Sequence, residues 1–280
     1  MASKVEYKVQ DVGLLHAVAK SGKIEIIASL LSQGFEVDSK DREGVTPLMH
    51  AAESSKEVAF QMLIQKGANA SLKDNRGSSL LHRAATGGNT SIINKLLSHG
   101  LEIDTRCDDG FTPLMAAALS GKQSAFKMLL RRGANVSLKD NKGVCVLHWA
   151  VQGGDTCIIS TILSLGLETD SRNNDGVTPL MRAALRGKQS AFQSLIENGA
   201  DLNLEDNNGC SLLHKATQGG NTSIVDELLS LGLERDSRNN FGVTPLMAAA
   251  CSGKQSTFEL LLQHGADASL KDNLGNCLLL

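Results

Sequence analysis

Residues 44–52 read Gly-Val-Thr-Pro-Leu-Met-His-Ala-Ala, and nearly the same stretch returns at 110–118, 176–184 and 242–250. In each copy a threonine precedes a proline, which is the order of a hydroxyl N-cap followed by the first residue of a helix. Proline is accepted at that position because its missing N–H has no partner inside a helix. Each copy therefore predicts the start of a short, alanine-rich helix. All four prolines of the chain occupy this place: Pro47, Pro113, Pro179 and Pro245.

Glycine marks a repeat of 33 residues along nearly the whole chain. A second column starts at Gly34 and a third at Gly22, with the same spacing, and Ser55 is the one gap in the third column. A register this strict leaves no room for a separate domain or a linker. The first column occupies positions 44, 77, 110, 143, 176, 209, 242 and 275.

Each repeat predicts two helices and a connecting segment. The first helix, for example Leu114 to Leu119, ends near a glycine of the third column. The second helix carries apolar residues at helical spacing, such as Phe126 and Leu129, and ends at a second-column glycine, which suits a left-handed cap. Segment 134–143 then returns to the next unit as a turn or hairpin finger. One helix pair cannot bury its apolar face alone, so we expect the units to stack on their neighbours.

The pattern Gly-x-Thr-Pro-Leu-x-x-Ala-Ala, followed by Leu-Leu-x-x-Gly-Ala, resembles the ankyrin repeat over roughly residues 11 to 280. The resemblance implies an all-α repeat solenoid: stacked antiparallel helix pairs with β-hairpin fingers and a concave binding groove. We expect an N-terminal extension (1–10), a single repeat domain (11–271) and the start of a further, truncated unit (272–280). The domain would hold a cap unit, 11–40, and the full units 41–73, 74–106, 107–139, 140–172, 173–205, 206–238 and 239–271.

The units alternate with a second period of 66 residues. The ankyrin motif Thr-Pro-Leu-His usually joins its Thr and His by a hydrogen bond, but here the two halves lie in different units. The resemblance therefore implies that this contact is absent from every unit. We call 41–73, 107–139, 173–205 and 239–271, which have Met after the leucine, the TPL-type units. We call 74–106, 140–172 and 206–238, which have His82, His148 and His214 without proline, the His-type units.

Duplication of a two-unit block, with compensating residue sizes, is our interpretation of this alternation. The rival interpretation is a ladder of histidines that binds metal. Neighbouring histidines would lie on the order of 20 Å apart, two helix-packing distances. Zinc ligands lie about 2 Å from the ion, so these histidines could not share one.

The sequence predicts no enzymatic activity, cofactor or metal site. The stretch Gly-Lys-Gln-Ser at 121–124, 187–190 and 253–256 lacks the earlier glycine and the Ser or Thr that a phosphate-binding loop needs after its lysine. The six cysteines show no spacing suited to zinc. The balance of 28 Lys and Arg against 30 Asp and Glu argues against a strongly basic nucleic-acid binder.

Free thiols and the lack of a long apolar run indicate a cytoplasmic or nuclear protein without membrane insertion. The C-terminal end has no cap unit. We therefore expect either a fragment of a longer array or an open apolar end that stacks on something else. Without such stacking we expect a monomer.

Candidate binding residues follow from the family's groove positions. Apolar residues at these positions would form a strip that either marks a binding site or packs against the adjacent finger. Trp149, the only tryptophan, is either an interface residue or part of the packing between helices. The candidates are Phe111, Leu119, Val144, Trp149, Val177, Leu185 and Arg186.

A basic column runs along the finger bases and is interrupted only by Glu205. Two interpretations stay open. Aspartates beside the column could neutralise it, with little stabilisation per pair, or an acidic or phosphorylated partner could lie along the fingers. The column comprises Lys73, Arg106, Lys139, Arg172 and Arg238, with Lys40 and Lys271 at its ends.

The leading hypothesis is a non-catalytic scaffold that binds a protein partner through its concave groove and fingers. A rigid spacer or assembly element of a larger protein is the main alternative. Recognition of an acidic or phosphorylated partner by the basic column is a second alternative, and we do not expect nucleic acid as the partner.

Overall fold

The computed structural model describes residues 12–277. The predicted N-terminal extension, 1–10, and the last three residues of the predicted truncated unit lie outside the described residues. Residues 12–277 form sixteen α-helices, two for each predicted unit. The helix pairs confirm the pattern that the sequence predicts.

The first helix of each pair is seven to ten residues long. The first helices are α1 (Val12–Ser21), α3 (Pro47–Glu53), α5 (Leu80–Gly87), α7 (Pro113–Leu119), α9 (Val146–Gly153), α11 (Pro179–Leu185), α13 (Leu212–Gly219) and α15 (Pro245–Cys251). The second helices are α2 (Ile24–Ser32), α4 (Glu57–Gln65), α6 (Thr90–Ser98), α8 (Gln123–Arg131), α10 (Thr156–Ser164), α12 (Gln189–Glu197), α14 (Thr222–Ser230) and α16 (Gln255–Gln263).

The chain divides into two compact halves, one ending at Asn141 and the other beginning at Lys142. In the N-terminal half, α1, α3, α5 and α7 pack against one another in chain order, as do α2, α4, α6 and α8. In the C-terminal half, α9, α11, α13 and α15 pack in the same order, and each second helix packs on its own first helix. Each half fits an all-α repeat solenoid, while one domain over 11–271 stays a prediction.

The Thr-Pro-Leu segments start helices as predicted. The backbone of Thr46 is extended, and its Oγ1 accepts a hydrogen bond from the Met49 N–H at 3.3 Å. Thr112, Thr178 and Thr244 cap α7, α11 and α15 in the same way. The leucine, methionine and alanines that follow each proline form the core between neighbouring first helices.

The fingers are closed turns, and the predicted β-hairpins are not confirmed. Residues 12–277 contain no strand; they contain isolated β-bridge residues, which include the pairs Lys73–Ser79 and Glu205–Ser211 and the positions Lys139 and Cys145. In the 74–78 turn, the Asp74 N–H donates to the Ser78 carbonyl at 3.1 Å. The Asp74 carboxylate accepts from the N–H groups of Arg76 and Ser78, both at 2.9 Å. These hydrogen bonds lie within the turn itself, and no pair of strands continues from it.

Hydrogen bonds also join each finger to the next. The Asn207 N–H donates to the Asp175 carbonyl at 3.0 Å, and the Asn207 side chain donates to the Asn174 carbonyl at 2.8 Å. The equivalent backbone bond recurs at Asn75, Asn141, Asn174, Asn240 and Asn273. The backbone N–H groups of these asparagines are therefore paired with the preceding finger and not with their own finger.

The double glycine that ends α13 serves two different purposes. A Cβ on Gly219 would lie 2.5 Å from the Leu185 carbonyl oxygen, so this residue lets α13 approach α11 closely. Gly220 has a φ of +84° and forms the left-handed cap. Ser55, at the gap of the glycine column, is the one non-glycine residue of 12–277 with positive φ, at +55°.

Candidate functional site

The candidate site is a set of solvent-accessible side chains on the first helices of the C-terminal half. Their shared feature is a side chain that is not fully buried and that lies on a first helix or at its C-cap. We call this set the first-helix surface: Trp149, Gln152, Arg182, Leu185, Arg186 and Lys215. All are half-buried except Arg186, which is exposed.

Trp149 and Arg182 form the centre of this surface. The guanidinium carbon of Arg182 lies 5.3 Å from the Trp149 ring centroid, in a cation–π contact. Arg182 Nη1 also donates to Gln152 Oε1 at 2.9 Å. The contact supports the packing interpretation of Trp149, yet the residue is half-buried and not fully buried. Arg182 is consequently held in a defined orientation on the surface of α9 and α11.

Arg186 follows Arg182 by four residues and lies at the C-cap of α11, so the two side chains project from the same face. Its side chain makes no hydrogen bond or ion pair with any residue of 12–277. Leu185 lies between the two arginines and is half-buried. This end of α11 thus offers apolar area beside positive charge.

Lys215 occupies the position on α13 that is equivalent to Arg182 on α11. It forms an ion pair with Asp206, with a distance of 2.5 Å between the ammonium nitrogen and the carboxylate oxygen. Burial raises the pKa of Asp206, but the hydrogen bonds from Lys215 and from backbone amides outweigh it, so the pKa stays below the usual 3.8. The Asp206 carboxylate, 3% exposed, also closes the finger turn. This ion pair ties the first helix to the base of its finger.

The N-terminal half repeats this pairing with other residues. Arg83 donates to Asp74 at 2.6 Å and to Glu53 at 3.1 Å, and His50 contacts Asp41 at 2.9 Å. Burial raises the pKa of Asp74, but the hydrogen bonds from Arg83 and from the backbone amides, together with the positive charge of Arg83, outweigh it and lower the pKa below 3.8. At these first-helix positions of the N-terminal half, His50 and Arg83 are therefore paired with carboxylates.

The structure separates the apolar candidates. Val144 is 2% exposed and packs in the core, so its assignment as a partner-binding residue is wrong, because a buried side chain cannot contact a partner. Phe111 and Leu119 are half-buried in the N-terminal half, and Val177 and Leu185 are half-buried in the C-terminal half. The continuous strip stays a prediction.

The carbonyls of Phe111 and Val177 have a structural role. His82 Nε2 donates to the Phe111 carbonyl at 2.9 Å, and His148 Nε2 donates to the Val177 carbonyl at 2.9 Å. His214 reaches the Val243 carbonyl at the same distance. Each histidine therefore joins a His-type unit to the TPL-type unit after it, and this supports a structural role for the histidine column.

Four side chains of the basic column donate hydrogen bonds to the next unit. Arg106 Nη2 donates to the Lys139 carbonyl at 2.8 Å and Arg238 Nη2 to the Lys271 carbonyl at 2.6 Å. Lys40 reaches the Lys73 carbonyl at 2.9 Å. Arg172 reaches the Glu205 carbonyl, which explains why an acidic side chain is tolerated at that position. These bonds support the structural interpretation of the column, because the acceptor is always a backbone carbonyl 33 residues later.

Lys73 and Lys139 take part through their carbonyl groups, and their side chains lie at the surface. The Lys73 side chain is exposed, and its backbone forms the bridge to Ser79. Lys139 is also exposed. The column is thus a series of donors and acceptors that alternate with the 66-residue period.

Two fingertips carry exposed apolar residues that the sequence analysis does not include among its candidates. Phe241 is 59% exposed and Leu274 is 87% exposed, and they occupy equivalent positions on adjacent fingers. The Asn273 N–H donates to the Phe241 carbonyl at 2.9 Å. Comparison of the position before each first-column glycine would have found them. The other residues there are polar: Glu43, Arg76, Asp109, Lys142, Asp175 and Asn208.

Three further features concern the described part of the chain. Residues 12–277 hold no group of three or more His, Cys, Asp or Glu side chains placed to bind a metal ion. No helix in the same range combines the length and apolar character needed to cross a membrane. All six cysteines are free thiols.

Comparison with known protein families identifies a matching family model. A family model described as "Ankyrin repeats (3 copies)" matches residues 5–74, 56–140, 132–206 and 181–272. These matches together cover most of the chain. A search of curated proteins finds no match.

Proposed function

Because the chain belongs to the ankyrin-repeat family, we propose that it binds a partner protein through its groove and fingers, with the first-helix surface as the contact area. Ankyrin repeats generally mediate protein–protein interaction and are generally non-catalytic. The proposal assigns no enzymatic activity and no cofactor to the chain.

The observation that carries the proposal is the accessible cluster around Trp149. Trp and Arg side chains are over-represented among the residues that contribute most to binding at protein interfaces. Here Trp149 and Arg182 are in contact, and Leu185 adds apolar area beside them. The exposed fingertip residues Phe241 and Leu274 give the fingers of the same half a second apolar contact.

Affinity capture followed by mass spectrometry tests this proposal. The bait is the full chain, compared with the double variant Trp149→Ala and Leu185→Ala. Alanine occurs at the position equivalent to Trp149 in other units, at Ala116 and Ala248, so the fold should persist. The control is Leu165→Ala, which removes a leucine that is 52% exposed at the C-cap of α10.

We expect specific partners that are captured by the parent and by Leu165→Ala, but not by the double variant. Partners captured equally by all three baits would contradict the assignment to the first-helix surface. If no protein is captured above background, the spacer or assembly alternative replaces the binding function.

Cellular location and oligomeric state belong to the same proposal. Six free thiols favour a reducing compartment, and we therefore propose the cytoplasm or the nucleus. We propose a monomer in solution. Light scattering coupled to gel filtration checks the second statement, and a mass above that of one chain would contradict it.

A further inference from the structure

We propose that the segment bound at the first-helix surface is an acidic peptide, which rests on the proposed function and specifies its partner. In the C-terminal half, the charged residues of the first helices are basic and those of the second helices are acidic. The first helices α9, α11, α13 and α15 contain no Asp or Glu, whereas α11 and α13 carry Arg182 and Lys215. The second helices contain no Lys or Arg and hold the acidic residues Glu197, Asp226, Glu227 and Glu259.

The exposed charge on this face belongs to Arg186. The charge of Lys215 is balanced by Asp206, with which it forms an ion pair. Arg186 has no such pair among residues 12–277, and its guanidinium faces solvent. The first helices of this half therefore display positive charge, although the net charge of the whole chain is −2. A ligand of opposite charge fits this face best, because approach of a positive ligand would be repelled.

Arg182 is arranged to receive a carboxylate. Contact with the Trp149 ring and the hydrogen bond to Gln152 hold its side chain in place. Less side-chain entropy is then lost on binding. A guanidinium binds a carboxylate through two parallel hydrogen bonds. Arg186, one helical turn later, provides a second carboxylate position, and Leu185 between them provides an apolar contact.

A peptide fits this surface better than nucleic acid does. Proteins that bind nucleic acid typically neutralise about 6–10 phosphates. The finger-base arginines Arg172 and Arg238 are exposed, but each donates to a backbone carbonyl at the next finger base, so they are held at the fingers and not on the first helices. Two arginines beside a leucine and a tryptophan match a short segment with carboxylates and an apolar side chain.

The test is a selection of phage-displayed random dodecapeptides on the full chain. The selected peptides are then synthesised with a fluorescein label, and their affinity is measured by fluorescence anisotropy. The fluorescence of Trp149, the only tryptophan, reports binding independently. The test variant is Arg182→Ala with Arg186→Ser, since other TPL-type units have Ala116 and Ser120, or Ala248 and Ser252, at these positions. Circular dichroism verifies its fold, and Arg186→Gln alone replaces it if it does not fold.

The matched control is Lys127→Gln with Arg131→Gln, which removes two positive charges from exposed residues of α8. We expect selected peptides enriched in Asp and Glu, at least tenfold weaker binding to the test variant, and a change below twofold for the control. Binding should also weaken when salt is raised from 50 to 300 mM, in line with screening.

Peptides selected on this surface without acidic enrichment would overturn the inference while leaving the proposed function intact. Equal weakening by test and control variants would also overturn it, because it would indicate unspecific attraction. Tighter binding of a twelve-base-pair DNA duplex than of the selected peptides would replace the peptide by nucleic acid. A selection that yields no peptide would overturn the inference, and the capture experiment then decides the proposed function separately.

Discussion

At the scale of single residues, His82 illustrates how a buried side chain fixes its own protonation state. The Ser79 N–H donates to His82 Nδ1 at 3.1 Å, and His82 Nε2 donates to the Phe111 carbonyl at 2.9 Å. Only a neutral imidazole with its proton on Nε2 satisfies both bonds. Burial lowers the pKa of His82 below 6.5, while the bond to Phe111 opposes the shift. Burial lowers the pKa of His214 in the same way.

These histidines predict a loss of stability in mild acid. In the unfolded chain the histidines take up protons as the pH falls through about 6.5, whereas the folded chain resists this uptake. Their stabilisation is therefore complete above pH 6.5 and decreases below it, by up to about 1.4 kcal/mol per pH unit for each histidine. Urea unfolding between pH 7.5 and 5 measures the effect.

The double variant His82→Met and His214→Met copies the residue that TPL-type units have at this position. It should be less stable at pH 7.5 but lose less stability on acidification. A parent whose unfolding free energy stays constant from pH 7.5 to 5 would contradict the account.

The same residues mark the limit of prediction from sequence. Splitting of Thr-Pro-Leu-His between unit types predicts only that the motif's own Thr–His contact is absent. It misses that Ser79 takes the place of threonine, with 2.9 Å between Ser79 Oγ and His82 Nδ1, and that Ser211 does the same for His214 at 2.7 Å. A hydroxyl three residues before the histidine was visible in the sequence, but its pairing depends on the geometry of the helix start.

At the scale of elements, helices were predictable and fingers were not. Caps such as Thr46, Pro47 and Gly67 act within a few residues of the helix that they bound, so the sequence locates the helices well. The finger bonds join residues such as Asn207 and Asp175, which lie 32 positions apart. Local patterns contain no signal for such pairs, and the predicted hairpins are therefore not confirmed.

Close approach of neighbouring first helices predicts a strong effect of Gly219→Ala. The added Cβ would lie 2.5 Å from the Leu185 oxygen and 2.8 Å from the Ala184 oxygen, so α13 must move away from α11. We expect a loss of about 1–3 kcal/mol in unfolding free energy, typical of overpacking. Urea denaturation followed by circular dichroism measures it.

Gly13→Ala is the matched control for this substitution. Gly13 also lies in a first helix, α1, and a Cβ there would meet nothing within 4 Å. We expect this variant to be unchanged or stabilised by up to about 1 kcal/mol, because alanine favours helix. Equal losses in both variants would show that steric contact at Gly219 is not the cause.

At the scale of the whole molecule, the 66-residue period reflects side chains that join units in pairs. The His-type unit 140–172 reaches the following TPL-type unit through His148, Asp170 and Arg172, which bond to the backbone at Val177, Asp201 and Glu205. The unit 206–238 uses His214, Asp236 and Arg238 in the same way. The period was readable from sequence, but its cause required knowing which backbone group each side chain reaches.

Local bonding of this kind predicts additive effects along the array. Arg172→Gln and Arg238→Gln each remove a bond at a different interface between units. We expect each to lower the unfolding free energy by about 0.5–1.5 kcal/mol, and the double variant to lose the sum within about 0.5 kcal/mol. A large deviation from additivity in urea denaturation would contradict independent interfaces.

The central claim divides the arginines into two classes: those at the finger base hold units together, and those on the first helices bind the partner. Arg172 and Arg186 lie in the same half and can receive the same substitution, to glutamine. The most direct test is the affinity of each variant for a peptide selected on the parent chain, measured by anisotropy at a temperature where both are folded. We predict an affinity loss of at least fivefold for Arg186→Gln and less than twofold for Arg172→Gln. The reverse order, or equal losses, would contradict the account.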